Sequence, residues 1–113
     1  LHVDDFCQLI KKQLAALEST SYTIYNAGGG PTISVSLAEL TSHCHRLSAE
    51  HPKIGSDPET SDADVPYYVT DNSTVSKSFD WVPERGVDFI LEDIFRWLTN
   101  HRQVLEPIFH NGI

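Results

Sequence analysis

The stretch SDADVPYYVTDNSTVSKSFDWVP, residues 61–83, decides how the rest of the chain is read. It opens on acidic residues, passes through an apolar run, starts a helix and ends at Trp81-x-Pro83. Pro66 pushes Val65 out of the helical region, so residues 65–69 read as extended. Asp71 is placed to cap a short helix over residues 72–79, on which Val75 and Phe79, four apart, share a face. Pro83 cannot continue a helix, so the segment closes there. The segments upstream read as a scaffold that positions this stretch, and the long helix downstream reads as its cover.

Upstream, residues 3–18 place Val3, Phe6, Leu9, Ile10, Leu14 and Leu17 on one helical face. Asp4 and Asp5 sit where a helix N-terminus favours negative charge, which accounts for them without a general-base role beside His2. Residues 22–26, YTIYN, are aromatic and β-branched and predict a strand. Gly28, Gly29 and Gly30 follow. Three glycines allow either a sharp turn between extended segments or a loop that approaches a phosphate or nucleotide closely. They do not form the dinucleotide fingerprint, since G-x-G-x-x-G occurs nowhere in the chain. Residues 33–35 read as a short extended piece. Ser36 with Glu39 makes a capping box for a helix whose buried side is lined by Leu37, Leu40, Cys44 and Leu47. His43, Cys44 and His45 are consecutive, so on a helix they point in different directions and cannot close on one metal ion. They read as exposed.

Residues 51–59 are a loop punctuated by Pro52, Gly55 and Pro58, with Lys53-Ile54 as a very short edge strand. Asp57, Glu59, Asp62 and Asp64 concentrate negative charge here, which suits either a solvated loop or a site for a cation or substrate hydroxyls. A calcium loop is excluded because the required glycine is missing. Downstream, residues 85–100 predict the longest helix, with Val87, Ile90, Leu91, Ile94 and Leu98 as its stripe and Phe95 and Trp97 beside it. Residues 104–109 read as a tail that packs back.

Composition bounds the function. The 113 residues allow one domain or part of one. A net charge of −8, from 16 acidic and 8 basic side chains, argues against nucleic acid and against an anionic membrane surface. No apolar run approaches the roughly 20 residues of a membrane span. Cys7 and Cys44 are the only cysteines, which fits a reducing cytoplasm better than a disulfide framework. The chain starts at Leu1 and contains no Met, which suggests a fragment. None of the four tyrosines has Lys four residues later, and no nucleophile motif occurs. The residues alone form no catalytic constellation.

The order of these features resembles the C-terminal part of the extended short-chain dehydrogenase/reductase family, the NAD-dependent sugar-nucleotide epimerases and dehydratases. Leu1-His2-Val3-Asp4-Asp5 is similar to the family's H-V-x-D helix entry. Tyr25-Asn26-Ala27-Gly28-Gly29-Gly30 is similar to its strand and glycine turn, and Ser36-Leu37-x-Glu39-Leu40 to the helix that follows. Asp64-Val65, Tyr68, Asp71 and Trp81-x-Pro83 are similar to its R-P-x-D-V … D … L-G-W-x-P ending. Within the family, Gly28-Gly29-Gly30 and the Asp-Val-Pro-Tyr-Tyr run look most similar to CDP-paratose 2-epimerases, also called CDP-tyvelose epimerases.

The resemblance implies an α/β fragment, α+β-like, of three to four helices and a few short strands. Residues 1–113 would be one C-terminal substrate-binding lobe, with the N-terminal NAD-binding Rossmann domain outside the chain. It implies a nucleotide-sugar ligand, with a CDP-sugar suspected, contacted by Gly28, Gly29, Gly30, Ser61 and Asp64. Ser61 departs from the family, which has a phosphate-binding Arg at that place. The lobe would hold no cofactor and would not catalyse alone, the NAD belonging to the parent epimerase, which would be cytoplasmic and a possible homodimer.

Overall fold

The computed structural model describes residues 1–19, 23–48, 51–56, 59, 61 and 63–110. Among these, five α-helices form: α1 (Val3–Ala15), α2 (Leu37–Leu47), α3 (Ser73–Phe79), α4 (Val87–Asn100) and α5 (Arg102–His110). Two 3-10 turns, Leu17–Ser19 and Pro31–Ile33, lie between the first two. The chain divides into two units, Leu1–Ser34 with Pro52–Arg85, and Val35–His51 with Gly86–Ile113.

The first unit is built by α1 packing on α3. His2 caps α1 in an unusual way, its imidazole Nδ1 accepting the Asp4 N–H at 3.1 Å. The buried core is Leu9 from α1, Val75 and Phe79 from α3, and Trp81 just after it, with Ala16, Tyr25 and Ala27 packed against its edge. Tyr25 meets Phe79 edge-on at 5.2 Å between ring centroids. Each fully buried side chain of this size is worth about 1.5–3 kcal/mol. The two α3 positions assigned to one face by their spacing are therefore the ones that bind α3 to α1.

The ends of α3 are fixed by groups far away in sequence. Its N-cap position is Asn72, a residue type that usually turns its side chain onto the first helical N–H groups. Here the carboxamide is bonded to Gly28 instead, and the Asp71 carboxylate takes over, accepting the Ser73 N–H at 2.8 Å. That bond holds the Asp71 carboxyl below the usual carboxylate range. At the other end the helix stops before Pro83 is reached. Asp80 adopts the left-handed conformation (φ 45°, ψ 52°), and the Lys12 ammonium donates to its carbonyl at 2.6 Å.

In the second unit α2 packs on α4, and α4 on α5. The capping box of α2 is formed: Glu39 N–H donates to Ser36 Oγ at 3.2 Å, and Ser36 N–H donates to Glu39 Oε2 at 2.9 Å. The Ser36 backbone bond, reinforced by its hydroxyl, holds the Glu39 carboxyl below its ordinary range. Leu40, Leu47, Val87, Ile90 and Leu91 are half-buried, but Leu37 and Cys44, expected on the buried side of α2, are exposed, because α4 covers only part of that side; none of the described residues of this unit is fully buried. His43 and His45 are half-buried rather than exposed. His43 Nδ1 and Arg46 both reach the Asp88 carboxylate of α4, and the His45 ring meets His51 edge-on at 4.9 Å. Helix periodicity alone does not show these neighbours, Asp88 of α4 beside His43 and His51 beside His45.

The helical part of the expected class holds, with five helices in place of three or four, but the few short strands are not seen among the described residues. Tyr22 of the expected 22–26 strand lies outside those residues. Residues 23–27, 53–54 and 65–69 take no regular form, and Ile33 belongs to a 3-10 turn. A strand exists only through its ladder, and propensity does not supply the partner. Beside the glycine turn that partner is a side chain, Asn72. Residues 102–110 form α5 although Pro107 removes the N–H that would reach Gln103.

Candidate functional site

Two polar clusters organise the first unit, and both join segments singled out in the sequence. The first lies at the start of α1. Asp5 is wholly buried, and a buried carboxylate needs partners for its charge. Its Oδ2 accepts the Arg85 backbone N–H at 3.1 Å, and its Oδ1 accepts the Arg85 guanidinium. Its backbone carbonyl accepts the Trp81 indole N–H at 3.0 Å. Asp4 adds a second carboxylate 3.4 Å from Arg85. The helix entry and the Trp81-x-Pro83 ending, 76 to 80 positions apart, are thus locked together.

The second cluster is the glycine turn. Asn72 binds Gly28 as one strand binds another: its Oδ1 accepts the Gly28 N–H at 3.0 Å, and its Nδ2 donates to the Gly28 carbonyl at 2.9 Å. The approach is so close that a Cβ on Gly28 would lie 2.2 Å from Thr70 Oγ1. Gly30 has φ +68°, and a Cβ there would lie 3.1 Å from Asn72 Nδ2. A Cβ on Gly29 would make only ordinary contact with Ile33, at 3.4 Å. Glycine is therefore required at position 28 by the 70–72 segment packed on the turn, and at position 30 by its positive φ.

Ser61 and Asp64 form a turn of their own. The Asp64 N–H donates to the Ser61 carbonyl at 2.9 Å, and the Ala63 N–H donates to Ser61 Oγ at 3.2 Å. Both side chains are exposed. The Ser61 hydroxyl keeps its proton to donate, and the Asp64 carboxylate offers acceptors, a pairing that suits hydroxyl groups of a ligand. Of the other residues of the acidic loop, Asp57 and Asp62 lie outside the described residues, and Glu59 is exposed. Among the described residues no hydrogen bond joins this turn to Gly28, Gly29 or Gly30. Arg85 is committed to Asp4 and Asp5, and Lys12 to the Asp80 carbonyl.

Sequence reasoning singled out the glycines, Ser61 and Asp64, but not Thr70, Asn72 or Arg85. The dipeptide Asp71-Asn72 held the only available signal. Two good capping residues in succession leave one of them over, and the spare one holds the glycine turn. Asp5 was accounted for by the helix dipole alone, since nothing in the sequence announces that Arg85 will return to it.

Among the described residues no group of three or more His, Cys, Asp or Glu is placed to hold a metal ion. No helix among them is long and apolar enough to cross a membrane. Comparison with protein-family models, with curated proteins and with solved structures gives no match.

Proposed function

We propose that this chain is the substrate-binding lobe of an NAD-dependent nucleotide-sugar epimerase of the extended short-chain dehydrogenase/reductase family, with a CDP-sugar as its ligand. One observation carries the reading. Segments that resemble the family only loosely, and lie far apart in sequence, pair off in the first unit: residues 1–5 with Trp81 and Arg85, and Gly28 with the 70–72 segment. Such pairing is what a fold shared with the family would bring about.

In this reading Ser61 stands beside the ligand's diphosphate, where the family has its Arg, and Asp64 accepts hydrogen bonds from the ligand's hydroxyl groups. The glycine turn shapes the floor beside it. NAD is not held by this turn, because the Gly28 N–H is bonded to Asn72 and the space at its Cα is filled by Thr70. In this reading hydride transfer belongs to the parent enzyme's NAD-binding half, and this lobe contributes substrate choice. A non-catalytic interaction module on the same fold is the second reading. Ser61 favours it, since a hydroxyl cannot replace the bidentate contact of Arg with phosphate.

Calorimetric titration of CDP-glucose into the chain and into a Ser61→Arg variant tests the assignment. A charge-assisted bond to phosphate is worth about 1.5–3 kcal/mol, so the variant should bind about tenfold tighter or more. Equal affinities would place the phosphate elsewhere, and no heat from either protein at millimolar ligand would favour the interaction module.

A further inference from the structure

Eight of the fourteen residues of α4 are apolar, and a helix apolar around most of its girth is normally buried. One neighbour cannot do this alone. α2 packs on the start of α4, where His43 and Arg46 reach Asp88 and where Val87, Ile90 and Leu91 are half-buried. α5 then follows α4 with only His101 between them. The His101 N–H donates to the Trp97 carbonyl at 3.0 Å, and its carbonyl accepts the Leu105 N–H at 3.1 Å, so helical bonding continues across the joint. Spacings of three and four residues therefore carry the apolar stripe of α4 into α5. From Val87 to Ile108 that stripe runs about 30 Å at about 1.5 Å per residue, whereas the eleven residues of α2 reach about 16 Å.

The uncovered part is large. Ile94, Trp97, Leu98, Val104, Ile108 and Phe109 are between 40% and 68% exposed. At up to roughly 150–250 Å² for each large side chain, the six leave roughly 600 Å² open. A monomer rarely shows a contiguous apolar patch above a few hundred Å². With the polar rim that an interface ordinarily carries, the face comes to roughly 900 Å², against the roughly 800 Å² per partner that a stable dimer needs. Trp97 is set in place as an anchor, its indole stacked on the His101 ring with centroids 4.6 Å apart and planes at 26°.

The charges bordering the face select the partner. Asp93 lies 3.8 Å from Arg96, and Arg102 lies 3.6 Å from Glu106, so these four cancel on a chain whose net charge is −8. A strongly charged partner gains no net attraction here, and a second copy meets no net repulsion. We propose that the α4–α5 face binds a second copy of this chain, antiparallel about a twofold axis at His101. The axis follows from the stripe. His101 is the midpoint between Ile94 and Ile108, so only an antiparallel copy centred there covers the stripe from end to end. Each Ile94 then faces the partner's Ile108, and the helix dipoles oppose one another.

Sedimentation equilibrium of the intact chain tests the proposal. Between about 1 and 500 µM the mass should rise from 12.7 kDa towards twice that value. Tryptophan emission should shift to the blue over the same range as Trp97 is covered, since Trp81 is buried already. Ile94→Lys and Ile108→Asp each bring a charge into the apolar contact twice and should weaken the dimer at least about tenfold. Both positions are exposed in the single chain, so circular dichroism should show unchanged helicity. The double variant should regain the dimer, because the twofold axis sets the two new charges, of opposite sign, against each other. A mass of 12.7 kDa at every concentration, a dimer indifferent to both single variants, or a double variant as weak as the single ones would each overturn the proposal.

Discussion

Replacing Asp5 by Asn changes one oxygen for an NH2 group in a site with no solvent exposure, and the structure sets the size of the effect. The carboxylate has two oxygens and uses both, one on the Arg85 backbone N–H and one on its guanidinium. An amide keeps one acceptor and turns the other into a donor facing donors. Hydrogen bonds to a charged group are worth about 1.5–3 kcal/mol, and breaking a fully buried ion pair costs about 3–5 kcal/mol. Arg85 retains 23% side-chain exposure, so water recovers part of its solvation and the cost falls below that of a fully buried pair. The expected loss is about 2–3 kcal/mol. With a urea dependence of about 1–3 kcal/mol per molar, the unfolding midpoint should fall by about 1–2 M with the slope unchanged. The assay is urea unfolding followed by the buried Trp81 indole, whose N–H bonds to the Asp5 carbonyl. Arg85→Met should cost more, about 3–5 kcal/mol, because it strands a carboxylate that has no exposure, and the two substitutions together should cost less than their sum. A midpoint for Asp5→Asn within about 0.3 M of wild type at equal slope would refute the claim that this ion pair ties α1 to the 81–85 segment.

Three further outcomes follow from other parts of the first unit and from the α2 cap. Among the glycines, Gly28→Ala should destabilise most, by about 1–3 kcal/mol, because its Cβ meets Thr70. Gly30→Ala should cost about 1–2 kcal/mol for the left-handed backbone, and Gly29→Ala less than about 0.5 kcal/mol, all read as urea midpoints. Asp80→Gly should stabilise by about 0.5–1 kcal/mol in thermal melts, the strain relieved at φ 45° exceeding glycine's entropic cost. Glu39 and Asp71 have carboxyls held low by backbone bonds, so their caps are fully effective at neutral pH and are lost as pH falls through the depressed values. Acid titration of helicity by circular dichroism should therefore be flatter in a Glu39→Gln, Asp71→Asn variant.

Local rules were legible in the sequence wherever partner and residue lie within one turn of each other. The Ser36–Glu39 box, the cap supplied by Asp71 and the Val75–Phe79 pair all formed as their spacing predicts. Faces were less legible. Of the six apolar residues on the expected α1 stripe only Leu9 is buried, while Val3 and Leu14 are 64% and 63% exposed. Periodicity says which residues share a side, but a single short helix such as α3 covers little of that side. The stripe of α4 shows the same limit, with Leu91 half-buried and Ile94 49% exposed. Partners at long range were not legible at all. Nothing in Asp5 points to Arg85, and nothing in Asn72 points to Gly28, because both pairings depend on where the chain returns. In the candidate site the glycine run stood out in the sequence, but the residues that require it did not. Gly28 is required by the approach of Thr70 and Gly30 by its positive φ, whereas Ser61 and Asp64 lie in an exposed turn.

The proposed function has the first unit bind a nucleotide-sugar beside these two turns. The most direct measurement is a titration of the isotopically labelled chain with CDP-glucose, followed through backbone amide resonances. The account predicts shifts concentrated at Ser61, Asp64 and the neighbouring Tyr67 and Tyr68, with smaller ones at Gly29 and Gly30, while the α4 and α5 amides stay in place. Unchanged spectra at millimolar ligand, or shifts confined to the second unit, would contradict it.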